Sequence, residues 1–93
     1  MSFEITFSNS ALSDLEEILE YYSEQKGQKL VSKVIQDVEI LKEQPDSGRV
    51  VAEFAINFLR ELIRPPYRIV YLRDEQNIRI VRVWRSESLL NLS

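Results

Sequence analysis

Pro65-Pro66-Tyr67-Arg68-Ile69-Val70-Tyr71 and, after a short polar break, Ile78-Arg79-Ile80-Val81-Arg82-Val83-Trp84-Arg85 decide how this chain is read. β-Branched and aromatic residues dominate both runs, and Asp74-Glu75-Gln76-Asn77 separates them, so the pair is predicted to form a β-hairpin. Side chains alternate across a strand, which puts Arg68 on the same face as Val70 and Leu72. An arginine on a half-apolar face is either an ion-paired core residue or a group that meets a phosphate or carboxylate.

Immediately upstream, residues 50–63 fit two patterns. Val51, Phe54, Ala55, Phe58, Leu59 and Leu62 have helical spacing, yet Phe58-Leu59-Arg60-Glu61-Leu62-Ile63-Arg64 also reads as a strand. The expectation is a short irregular or helical piece through Ala55, then a strand leading to Pro65-Pro66, where the prolines interrupt the ladder and turn the chain into Tyr67. Asp46-Ser47-Gly48 is a turn.

Further back, Leu30, Val31, Val34, Ile35, Val38 and Leu41 form the stripe of an amphipathic helix that Pro45 stops. Gln25-Lys26-Gly27 breaks it from an earlier helix with the stripe Ala11, Leu12, Leu15, Ile18, Leu19 and Tyr22. Asp14, Glu16, Glu17 and Glu20 are expected on the solvated side of that helix, the first two near its positive end. Ser8, Asn9 and Ser10 are N-cap candidates. So short a connection makes an antiparallel helical hairpin whose stripes both face the core. Phe3-Glu4-Ile5-Thr6-Phe7 alternates as a first strand. The tail Ser86–Ser93 is expected to fray, although Leu89, Leu90 and Leu92 ask for cover. The fold class is therefore α+β: an N-terminal strand, a helical hairpin packed on one face, then a three-stranded antiparallel sheet (β-α-α-β-β-β), all in one domain, residues 1–93.

Composition narrows the chemistry. The 93 residues contain no cysteine and no histidine. Disulfides, thiolate nucleophiles and cysteine-ligated metals are excluded, and so are the commonest general base and transition-metal ligand. No cofactor or metal is expected. No apolar run approaches the roughly 20 residues of a membrane span, and no signal-peptide pattern opens the chain, so the expected location is the cytoplasm. Net charge is −3, but residues 1–47 hold four lysines against ten acids, and residues 48–93 hold eight arginines against five acids. The arginines either decorate strands or form a sheet face prepared for an anion. Stand-alone nucleic-acid binding does not fit a pI near 5.0.

Read in order, Phe7-Ser8, Ala11-Leu12-x-Asp14-Leu15-Glu16-x-Ile18-x-x-Tyr21, Pro45-x-x-Gly48-Arg49, Arg60-Glu61-Leu62, Tyr67-Arg68-Ile69-x-Tyr71 and Arg82-Val83-Trp84 resemble the RelE/ParE superfamily of small bacterial type II toxins. The Pro-x-x-Gly-Arg element and the long helical hairpin look more like the ParE branch, the plasmid-stabilisation proteins. The resemblance implies a cognate antitoxin that lays an extended or helical segment over the toxin. It implies one of two targets: DNA gyrase, trapped without a conventional active site, or messenger RNA, cleaved on the ribosome. A homodimer and a toxin–antitoxin hetero-oligomer are both compatible with it.

The last strand departs from the family pattern. Where a histidine or further basic residues usually stand, this chain has Arg85-Ser86-Glu87-Ser88-Leu89-Leu90. RNA cleavage through the 2′-hydroxyl needs a base, an acid and a clamp on the phosphorane. Arg68 matches the family's strand arginine and would be the clamp. Arginine, with a pKa above about 12, is a poor base, so Glu61 or Tyr71 would have to be strongly perturbed to serve. The expectation is therefore a protein-binding toxin of the gyrase-inhibiting kind, with ribosome-dependent RNA cleavage, or a fold that binds only its antitoxin, as the alternatives. Partner-binding candidates are Arg49, Arg60, Arg68, Arg82, Trp84 and Arg85; Arg68 and Glu61 are the catalytic candidates. Against these stand structural readings: Arg68 paired with Glu61, Arg60 paired with Glu61, Arg49 solvated in a loop, Trp84 in the core, and Tyr67 and Tyr71 packing with wet hydroxyls.

Overall fold

A computed structural model describes residues 3–51 and 58–85 of the chain. Strand β1 (Glu4–Phe7) leads into helix α1 (Asn9–Tyr21) and helix α2 (Glu24–Ile40). Strands β2 (Arg49–Val50), β3 (Leu59–Arg64), β4 (Tyr67–Arg73) and β5 (Asn77–Arg85) follow. The α+β class and the element order agree with the sequence. The sheet is larger than expected: five strands in the order β1-β5-β4-β3-β2. It is mixed, because β1 runs parallel to β5 while every other pair is antiparallel. A parallel pairing needs a long crossover, and the helical hairpin supplies it. The expected piece through Ala55 and the tail from Ser86 lie outside the described residues.

The β4–β5 hairpin forms with its turn tightened to Asp74–Gln76. Asp74 Oδ1 accepts from the backbone N–H groups of Gln76 (2.8 Å) and Asn77 (2.6 Å). These bonds favour the carboxylate and hold its pKa below the ordinary value. The Pro65–Pro66 peptide is cis and forms the turn between β3 and β4, with Arg64 opposite Tyr67.

Ser8 is the N-cap of α1, its hydroxyl accepting from Ala11 N–H at 3.0 Å. Contrary to the sequence reading, Gln25-Lys26-Gly27 is no break. The break falls at Tyr22–Ser23, and Ser23 caps α2 by accepting from Lys26 N–H. Gly27 lies in the first turn of α2, where a Cβ would sit 3.2 Å from Leu19 Cα. Its lack of a side chain is used for close helix approach rather than for helix breaking.

Ala11, Leu15 and Ile18 of α1, with Val34 and Val38 of α2 and Leu41 at its C-cap, pack on Leu62, Ile69, Tyr71, Ile78, Ile80 and Val83. Neither stripe is wholly core, because Leu12 (46%), Leu19 (43%) and Ile35 (37%) remain exposed. β5 carries a bulge: Tyr71 pairs with Ile80 but Val70 pairs with Arg82, leaving Val81 as an extra residue. Strict alternation from Ile78 and Ile80 would send Arg82 inward. The bulge reverses the faces, so Val83 enters the core instead.

Candidate functional site

Two arginine–carboxylate clusters flank the sheet, and both grow from strand register. Glu61 of β3 stands opposite Arg49 of β2 and Val70 of β4, on the face turned away from the helices. Arg68 shares that face and reaches Glu61 diagonally. Glu61 Oε1 accepts from Arg49 Nε at 2.8 Å, and Oε2 lies 3.1 Å from an Arg68 terminal nitrogen. The Glu61 and Arg68 side chains are buried, whereas that of Arg49 is 67% exposed. A buried carboxylate is costly to desolvate, and two guanidiniums offset that cost.

Arg60 does not pair with Glu61, contrary to one sequence reading, because neighbours in a strand face opposite ways. Arg60 donates to the Gly48 carbonyl at 2.9 Å and pairs with Asp46 at 3.4 Å, and Arg73 approaches the same Asp46 oxygen at 3.2 Å. The Tyr71 hydroxyl is also not wet. It donates to the Pro45 carbonyl (2.8 Å) and accepts from Gly48 N–H (2.9 Å) inside the fold. Burial pushes this hydroxyl's pKa up. A Cβ at Gly48 would lie 2.6 Å from the Glu61 carbonyl oxygen and 2.7 Å from the Tyr71 ring and hydroxyl. The Pro45-x-x-Gly48-Arg49 element is thus a turn locked by Tyr71, which delivers Arg49 to Glu61.

The second cluster lies two strands from Glu61 on β5, where Arg82 stands opposite Val70 and the strand runs past the end of β1. Here α1 closes the strand edge. The Ser8 hydroxyl donates to the carbonyl of the bulge residue Val81 (2.9 Å), and Asp14 Oδ2 accepts from Val83 N–H (2.8 Å). Both Asp14 oxygens also accept from Arg82, from Nε and from a terminal nitrogen, each at 2.8 Å. These bonds raise the pKa of Arg82. Asp14 is 5% exposed, so its expected place on the solvated helix side is corrected. Its signals in the sequence were membership of the ordered motif set and its spacing, three residues after Ala11 and four before Ile18, on the buried stripe.

Trp84 is half-buried outside the core, with the Arg82 guanidinium 4.9 Å from its ring centre. Arg85 lies over Tyr21, 5.8 Å from the ring centre. These residues, with Glu17, Glu20 and Tyr67, line a cleft of about 600 Å³ between α1 and the end of β5. Tyr67 at its floor has its hydroxyl pKa raised, first by burial and then by its bond to Tyr22.

The sequence candidates form two groups that meet where Arg68 stands opposite Trp84 in the β4–β5 ladder. Arg49, Arg60 and Arg68 gather around Gly48 and Glu61; Arg82, Trp84 and Arg85 gather at the cleft. Among the described residues, no group of three or more acidic side chains is assembled to hold a metal ion, and no helix is long and apolar enough to cross a membrane.

The sequence profile of the ParE toxin of the type II toxin–antitoxin system parDE matches residues 5–90. Among solved structures, the chromosomal ParDE system of P. aeruginosa aligns with a TM-score of 0.75 at 22% identity, covering 92% of this chain and 98% of that one. The RelBE2 toxin–antitoxin complex of Mycobacterium tuberculosis aligns with a TM-score of 0.73 at 18% identity, covering 91% and 99%. The YoeB dimer of Staphylococcus aureus aligns with a TM-score of 0.66 at 18% identity, covering 95% and 100%. At these identities the likeness is one of fold. No curated protein matches the chain.

Proposed function

The chain belongs to the ParE toxin family of type II toxin–antitoxin systems, and from that premise we propose that it arrests growth by binding a target protein, DNA gyrase, until its cognate antitoxin covers it. The observation that carries this reading is the engagement of the groups an RNA-cleaving site would need. Arg68, the clamp candidate, faces Glu61 in a buried ion pair, and Glu61 is shared with Arg49. The Tyr71 hydroxyl is enclosed by Pro45 and Gly48, and its raised pKa makes it a weaker acid at neutral pH. The chain has no histidine or cysteine to take their place. Among the sequence candidates, Arg49 at one end, and Arg82, Trp84 and Arg85 around the cleft at the other, reach solvent and offer binding chemistry. Arg60 and Arg68 support those surfaces from within.

Rates of DNA and protein synthesis, followed by pulse labelling just after this chain is induced alone in bacteria, test the reading. An early fall in DNA synthesis is expected. An early fall in protein synthesis overturns it in favour of RNA cleavage on the ribosome. If neither rate moves, the chain is a toxin fold that binds only its antitoxin.

A further inference from the structure

Among the described ion-paired arginines, Arg49 has the most exposed side chain. Its Nε is fixed at 2.8 Å by a carboxylate that is itself 1% exposed, yet its own side chain is 67% exposed. Bonding through Nε does not use the two terminal nitrogens, whose fork matches a carboxylate or phosphate. The backbone that carries Arg49 is fixed on both sides. Gly48 is tied through N–H to Tyr71 and through its carbonyl to Arg60, and Arg49 itself pairs with Glu61 in the β2–β3 ladder. Close by, one carboxylate, Asp46, serves both Arg60 and Arg73, so among the described residues the ion pairs of this corner contain more guanidiniums than carboxylates.

We infer that Arg49 is a preorganised anion-binding group, positioned by Glu61, that captures a carboxylate on an acidic segment of a partner protein. Holding a long side chain in its bound geometry beforehand reduces the entropy lost on binding. The choice of a protein carboxylate over a nucleic-acid phosphate rests on the protein-binding reading above. An acidic side chain on a folded partner needs only the local positive corner.

The test uses the full chain and three probes: a hexaglutamate peptide blocked at both ends, inorganic phosphate, and hexathymidylate. Arginine Nε–H signals are followed by nitrogen-15 NMR, the Arg49 signal being the one missing from Arg49→Lys. The peptide is expected to shift that signal saturably, at lower concentration than either phosphate probe. Arg49→Lys keeps the charge but loses the fixed fork, and a fluorescent form of the peptide should bind it about tenfold more weakly. Because Arg49 is exposed, this variant is expected to keep the wild-type backbone amide spectrum. An unmoved Arg49 signal overturns the inference. Tighter binding of hexathymidylate or phosphate overturns the assignment to a protein carboxylate. Equal peptide affinity in Arg49→Lys overturns the role of the fixed guanidinium fork. This outcome and the synthesis-rate result are independent: protein synthesis falling first would remove the gyrase reading without moving the Arg49 signal.

Discussion

The corner around Arg49 and the edge around Arg82 are built from the same pair of ions to opposite ends. At the edge, one carboxylate accepts three hydrogen bonds: two from Arg82 and one from Val83 N–H. Asp14 comes from a helix and its partners from a strand, so the pair joins two layers of the fold. At the corner, the two oxygens of Glu61 are divided between arginines from two other strands, and one of those arginines reaches solvent. A saturated carboxylate fastens structure. A divided one can hold a charged group outward.

Asp14→Ala should break that comparison most severely. It removes the acceptor of Val83 N–H and the partner of Arg82, and is expected to destabilise the fold by about 3 kcal/mol, read from the urea midpoint. A loss under about 0.5 kcal/mol would mean that the edge holds without its fastener.

Gly48→Ala strikes the corner by steric means. The new methyl would lie 2.6 Å from the Glu61 carbonyl oxygen, so the turn must shift, with an expected cost of about 2 kcal/mol. The Arg49 Nε–H signal should move with it.

Tyr71→Phe leaves the Gly48 N–H and the Pro45 carbonyl without their bond, at an expected cost of about 1–2 kcal/mol at pH 7. It also carries a pH signature. The folded pKa of Tyr71 lies above the unfolded value near 10. Its contribution is therefore fully present below pH 10 and is lost as pH rises toward and through the folded value. Tyr67 acts in the same direction. Urea midpoints measured from pH 9 to 12 should fall for the wild-type chain and fall less steeply for Tyr71→Phe. An unchanged alkaline slope would mean that Tyr71 does not contribute to it.

Arg49→Ala should have the smallest effect on stability, about 1 kcal/mol: the Arg49 side chain is itself exposed, but the buried Glu61 carboxylate loses a hydrogen bond and keeps only its pairing with Arg68. Its effect belongs to binding. A large loss of stability would show that Arg49 supports the fold, as Arg82 does, and would erase the contrast.

Much of this was legible in the chain itself. β-Branched runs on either side of Asp74-Glu75-Gln76-Asn77 determined the β4–β5 hairpin, and two apolar stripes determined the helical hairpin, because periodicity and turn chemistry are local. The absence of histidine and cysteine set the limits on chemistry, and the ordered motifs pointed to the toxin family. Even the bulge left a trace in Ile80-Val81, where alternation skips a step.

Only tertiary structure decided where the charges went. Asp14 looks like a solvated helix acid until α1 is laid along β5, whose Val83 is 69 residues away in sequence. Tyr71 looks like a packing residue until Pro45 and Gly48, more than 20 residues earlier, close on its hydroxyl. The parallel partner of β1 and the pairing of Arg49 with Glu61 have the same origin. A residue's period fixes which face it takes wherever no bulge shifts the register, as one does at Val81. Which ion or strand stands opposite depends on contacts between segments that share no local pattern, and those exist only once the sheet has assembled.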